Sequence, residues 1–368
     1  MLRITDPIDG AILNRNMGRR VRAGLEITVS GEAPADARVS VVPTGIDPGT
    51  GRAIPPLVRR ESSSRGPHFS CRVVLRERHT TIAASCRSEH HAIRVLWDRN
   101  SFKRYRFSTD DNCRFLAEIA RERPDSIFEH PYMALWRDMH EKYGTRVHHN
   151  LFFEHEDFDL TQMPDSYRDE WQANADWLRL TFHSRANEPR DPYINATAEQ
   201  IVRDFDLVTR QIERFAGPEL LSPFTTVHWG EATVEGCRAL RARGILGLVG
   251  YFIFRDGRPA VSYYLDAEMT QYMNTHDYWY DTREGIFFVK HDMVVNNVAP
   301  EHVVPGLESL AADPNQTEVM ELMIHEPQFY PGWSGYRPDY RERVETAIRW
   351  VTENGYKSVF YEEGFLGA

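Results

Sequence analysis

The residues in this chain best suited to chemistry are carboxylates and imidazoles at the ends of predicted strands. Asp110 and Asp111 follow the strand Tyr105–Thr109, His183 ends Trp177–Phe182, His228 ends Thr225–Val227, and His325 with Glu326 ends Val319–Ile324. An aspartate with two histidines is a standard ligand set for zinc, and equally for iron, cobalt or nickel. A metal so held polarises a carbonyl and lowers the pKa of a bound water, while a neighbouring carboxylate takes the proton. Asp110, adjacent to Asp111, is placed to be that base. The competing structural reading is that Asp110-Asp111-Asn112 caps a helix beginning near Cys113, since Asp and Asn favour that position. His183 and His228 could equally be loop histidines bonded to backbone.

Positioning these groups requires a particular succession of elements. From about residue 105 onward strands alternate with helices. Helical periodicity covers Asn112–Arg123, Pro131–Tyr143, Ala198–Phe215, Val234–Arg243 and Tyr340–Glu353. Strands are expected at Arg146–Phe153, Leu246–Phe252, Ile286–Lys290 and Ser358–Tyr361 as well as those above. Such alternation predicts a parallel sheet or barrel with helices outside, and in a barrel reactive side chains sit at the C-terminal ends of strands. Residues 1–104 read differently. Short β-type runs (Gly24–Val29, Arg38–Val42, Phe69–Leu75, Thr80–Ala84, His91–Trp97) are separated by turn chemistry, as in an antiparallel sandwich of immunoglobulin type. The expected fold is therefore a β-sandwich at 1–104 followed by an α/β domain at 105–368.

The motif order resembles that of the polysaccharide deacetylases, the NodB-homology group of carbohydrate esterases. Phe107-Ser-Thr-Asp-Asp-Asn112 looks like the family's T-F-D-D-G, in which the first Asp is the base and the second a metal ligand. The match implies Asp110 as base and Asp111 as ligand. Thr181-Phe-His-Ser184 resembles the start of H-[ST]-x-x-H, implying His183 as a ligand; the second histidine of that motif is replaced by Asn187, a poor zinc ligand. Val227-His-Trp-Gly230 occupies the place of R-x-P-Y-G, and His228 is expected to complete the metal site. Leu322-Met-Ile-His-Glu326 resembles L-x-I-H, implying His325 as general acid, with Glu326 an additional candidate catalytic group. Asp277 and Trp279 loosely match a further D-x-x-x-W element. The implied fold is a distorted (β/α) barrel of NodB type behind an immunoglobulin-like head, as in uncharacterised bacterial proteins of this organisation.

The implied function is metal-dependent hydrolysis of a C–N amide bond in an N-acylated sugar or related polar amide, with metal-bound water as nucleophile. Zinc is the expected metal, with Fe, Co, Ni or Mn as alternatives. A non-catalytic carbohydrate-binding protein on the same barrel, or a metal-dependent lyase or isomerase using Glu326, are the competing readings. Asn187, Trp229, Tyr330 and Trp333 are expected to line the substrate, because aromatic faces stack on sugar C–H groups. His148 and His149 read as packing residues.

Composition bounds these readings. The 368 residues are 41% hydrophobic and 27% charged, an ordinary globular balance, and the net charge of −10 argues against a nucleic-acid partner. The four cysteines show no C-x-x-C spacing; Cys71 and Cys86 could pair, but free thiols are expected. No stretch has the length of a membrane span. A cytoplasmic location is expected for the chain as written, and a secreted or periplasmic one if a leader preceded it.

Overall fold

The computed structural model describes residues 1–55 and 58–364, which divide into two compact units. The first contains Met1–Ser101 together with Tyr278–Gly285, and the second Phe102–Asp277 and Ile286–Gly364.

The first unit is built from two largely antiparallel sheets. In one, Gly24–Glu32 pairs along its length with His68–Leu75, and on its other edge with Arg3–Asp6 and Arg19–Val21. In the other, His79–Cys86 lies between Arg38–Ile46 and Glu89–Trp97, and Arg60–Ser63 pairs with Arg38–Val41. Alternating burial along these strands places Leu25, Val29, Val39, Val41, Val73, Ile82 and Val95 in the core. Cys71 and Cys86 are buried free thiols. Tyr278–Gly285 joins this unit through backbone bonds at Gly10, where Tyr280 N–H donates to the Gly10 carbonyl at 3.1 Å. Only glycine fits there: its φ is +82°, and a Cβ would meet the Tyr280 carbonyl oxygen at 2.1 Å.

The second unit carries parallel strands β1 (Arg104–Asn112), β2 (Val147–Phe152), β3 (Leu178–Ser184), β4 (Phe224–Thr225), β5 (Gly247–Gly250), β6 (Ile286–Lys290), β7 (Met293–Val294) and β8 (Val319–His325). They form one sheet in the order β3-β2-β1-β8-β7 and another running β4-β5-β6. A parallel bridge, Leu180 to Leu221, lies just ahead of β4. Helices take the connections, with sequence-encoded ends: Pro131 opens Pro131–Tyr143 and Gly144 closes it at φ +67°, while Thr197 caps Ala198–Phe215 and Thr233 caps Val234–Ala242. Among the described residues no helix is long and apolar enough to cross a membrane.

Two features prepare the site. The pairing of β1 with β2 is irregular between Thr109 and Asn112, and that of β2 with β3 between Leu151 and Phe152. Bulges of this kind re-aim side chains at strand ends. Asp111 accordingly sits at φ +62°, a left-handed conformation that an aspartate adopts at some cost.

Candidate metal centre

Asp111, His183 and His228 converge from the ends of β1 and β3 and from the turn after β4. Asp111 Oδ1 lies 3.2 Å from His183 Nε2 and 3.3 Å from His228 Nδ1, and the two nitrogens are 3.1 Å apart. Both imidazoles are buried, while 19% of the Asp111 side chain remains exposed.

The outward nitrogens fix the protonation pattern. His183 Nδ1 faces the Thr226 carbonyl at 2.5 Å, and His228 Nε2 faces the Asn187 carbonyl at 3.3 Å. A carbonyl can only accept, so these nitrogens carry hydrogens, and in the neutral imidazoles the lone pairs fall on His183 Nε2 and His228 Nδ1. In that form two lone pairs and a carboxylate oxygen face one another, an arrangement that a cation can bridge and that protons on the imidazoles fill otherwise. For zinc held about 2.0–2.1 Å from each donor, tetrahedral geometry spaces the donor atoms about 3.3–3.4 Å apart, close to what is seen. The donor set suits zinc and its first-row neighbours, and the outer carbonyls are the orienting partners that ligating histidines require. Among the described residues, this is the group of His, Cys, Asp and Glu donors spaced to hold a metal.

The same contacts set the charge of these groups in the absence of a metal. Burial disfavours the Asp111 carboxylate, but hydrogen bonds from His183 and His228 and the charge of His325 hold its pKa well below the usual range. Burial likewise disfavours a charged His183, yet the nearby Asp110 and the bond to Asp111 raise its pKa overall. In the metal-free protein a depressed Asp111 stabilises the fold above its ordinary pKa and loses this as pH falls through its folded value. A raised His183 stabilises below its ordinary pKa, near 6.5, and loses this as pH rises through its folded value. A metal must displace the His183 proton. Apparent zinc affinity in competition titrations should therefore climb by up to about tenfold per pH unit as pH rises toward the raised His183 pKa and level off above it. A flat profile across that range contradicts the ligand assignment.

Around this triad stand the other candidate groups. Asp110, buried and paired in register with His325, accepts a hydrogen bond from Asn150 Nδ2 at 2.6 Å. His325 Nδ1 donates to Asn296 Oδ1 at 3.0 Å, since an amide oxygen can only accept. Phe152 packs its ring against both His183 and His228, at 5.2 and 5.0 Å.

Glu326 is placed elsewhere. Its fully buried carboxylate accepts backbone N–H groups from Cys113, Arg114 and Phe115 at 2.7, 3.2 and 2.6 Å, and the Tyr330 hydroxyl at 2.9 Å. Burial pushes its pKa up to about 7 against the pull of these donors. This also corrects the capping alternative for Asp110 to Asn112: all three belong to β1, Cys113 offers no side-chain cap to helix Arg114–Glu122, and Glu326 supplies one.

The expected substrate residues are dispersed in role. Asn187 is exposed and gives its carbonyl to His228. Trp229, at φ +63°, has the Arg190 guanidinium 4.6 Å from its ring. Arg114 lies over both Tyr330 and Trp333, at 5.7 and 5.3 Å. Asp277 accepts the N–H groups of Glu318 and Val319. His148 and His149 are buried, the former against Arg106 and the latter against Thr109.

Asn150, Thr226 and Asn296 escaped the sequence reading. One sign was available. The strand Val147–Phe152 is buried at every position, yet it holds His148, His149 and Asn150 in a row, and buried polar side chains must find partners.

No protein-family model matches the chain, and no curated protein matches it. Among solved structures it is similar to a mutant of a CE4-family pseudoenzyme with restored enzymatic activity, at 10% identity and TM-score 0.33 over 73% of this chain and 74% of that one. It is similar to a novel carbohydrate deacetylase at 9% identity and TM-score 0.38, over 97% of this chain and 73% of that one. It is also similar to a 4-alpha-glucanotransferase from Thermococcus litoralis, at 13% identity and TM-score 0.46, covering 72% of this chain and 40% of that one. Likeness at this level assigns no activity.

Proposed function

We propose that this chain is a metal-dependent hydrolase of C–N amide bonds, acting on N-acylated sugars or related polar amides. The observation that supports it most is the convergence of Asp111 Oδ1, His183 Nε2 and His228 Nδ1 with both histidine N–H groups turned outward onto carbonyls. A divalent metal in that triad, zinc first, supplies Lewis acidity that polarises a carbonyl and acidifies water. The remaining chemistry falls to the chain. Asp110, held by Asn150, takes the proton of the attacking water, whose oxygen bonds to the carbonyl carbon. His325, its Nδ1–H on Asn296, protonates the departing nitrogen from Nε2 as the C–N bond breaks, giving a carboxylate and an amine. Asn187, Trp229, Tyr330 and Trp333 are the groups we assign to the substrate side. In the same reading the second unit is a distorted (β/α) barrel and the first an immunoglobulin-like sandwich.

Acetate release from a panel of N-acetylated oligosaccharides by the zinc-loaded protein tests the proposal. Asp110→Asn should lower the rate by about 10²–10⁴-fold with bound metal unchanged. An Asp110→Asn protein as active as the wild type rejects the base. A metal-loaded wild type that binds these sugars and releases nothing is the non-catalytic carbohydrate binder instead.

A further inference from the structure

We infer that Glu326 is a positioning residue for the metal site, gripping the backbone after β1 so that Asp111 is held toward His183 and His228. The inference rests on the metal reading above but concerns a residue that touches neither metal nor substrate. Only Asn112 separates Asp111 from the first gripped residue, Cys113. The segment between is not one the chain adopts freely: the β1–β2 register is broken there and Asp111 is left-handed. A conformation of that kind persists only when its surroundings over-determine it.

Glu326 supplies the restraint. Helix Arg114–Glu122 has no side-chain cap at Cys113 and no acid in its first turn. Its leading N–H groups are satisfied instead from 213 residues away, by a carboxylate using both oxygens, one on Cys113 and Arg114 and the other on Phe115. Tyr330 fixes that carboxylate from behind through its hydroxyl, 2.9 Å from Oε1. Because Glu326 directly follows His325 in sequence, the same grip ties the end of β1, with Asp110 and Asp111, to the end of β8, with His325. A glutamine could not replace it, since its NH₂ would face backbone donors where the carboxylate accepts.

Zinc dissociation constants, measured by competition with a chromophoric chelator, test this on the full chain, alongside melting of the metal-free protein. Glu326→Gln should weaken zinc by about 10–100-fold, the loss typical of removing an orienting partner of a ligand. Tyr330→Phe, which loosens the carboxylate without removing it, should weaken zinc several-fold and leave folding intact. A folded Glu326→Gln protein with wild-type affinity, even with a lowered melting temperature, makes Glu326 a cap alone and overturns the inference. If Glu326→Gln does not fold, wild-type affinity in Tyr330→Phe overturns it. A wild-type chain that binds no zinc sinks the metal reading itself, and is distinguished from these outcomes by its own titration.

Discussion

Replacing His183 with alanine is expected to leave a folded protein that no longer retains metal through dialysis. His183 contributes one of three donors, and protein zinc sites use three or four side chains. Losing a donor outright should cost well over the roughly 10–100-fold that follows loss of an outer hydrogen-bond partner. The fold should survive because the imidazole ends a strand whose remaining residues, Leu178, Leu180 and Phe182, are fully buried and keep their packing. The substitution strands the Thr226 carbonyl that now accepts from Nδ1, at a cost of about 1–3 kcal/mol. Elemental analysis beside far-ultraviolet circular dichroism reads both outcomes. A folded His183→Ala protein with full metal content removes His183 from the ligand set.

Glu321→Ala should be the most damaging change to stability. Glu321 faces Arg106 across β8 and β1, in register, and both side chains are essentially inaccessible. The guanidinium binds the carboxylate through Nε and a terminal nitrogen, each at 2.9 Å. Ser108 and Tyr361 complete the carboxylate at 3.1 and 2.5 Å. Deleting Glu321 strands a buried positive charge left with His148 Nδ1 and the face of the Tyr361 ring, and burial with the adjacent Arg106 already holds that imidazole's pKa well below its ordinary value. Removing one member of such a pair costs about 3–5 kcal/mol. Urea denaturation should show the midpoint falling in proportion; a loss under about 1 kcal/mol would mean that the pair is not structurally required.

How much of this was legible beforehand divides along physical lines. Helices Pro131–Tyr143, Ala198–Phe215 and Tyr340–Glu353 and strand Ile286–Lys290 begin and end where the sequence reading put them. Two of the helices carry explicit start signals, Pro131 and the Thr197 cap. Asp110, Asp111, His183 and His325 were expected at strand ends, and β1, β3 and β8 carry them there. His228 was placed at a strand end, whereas it lies in a short 3-10 turn with Trp229 left-handed beside it; no local propensity announces that turn.

What stayed hidden depends on partners distant in the chain. Glu326 looks like a reactive neighbour of His325 until its carboxylate is seen on a helix beginning at Arg114. Arg106 and Glu321 look like ordinary charged residues in strands, and nothing local says that they face each other inside. Asn150 and Asn296 carry no charge and match no motif, yet they orient the groups proposed to move protons. Residues 278–285 were read with the second unit because backbone pairing to Gly10 leaves no local trace.

The most direct test is anomalous diffraction at the zinc edge from crystals of the zinc-loaded protein. The account predicts one peak, with Asp111 Oδ1, His183 Nε2 and His228 Nδ1 each about 2.0–2.1 Å from it. A zinc ion bound to Asp111 and His183 with His228 more than about 4 Å away, or a zinc ion elsewhere in the chain, would contradict it.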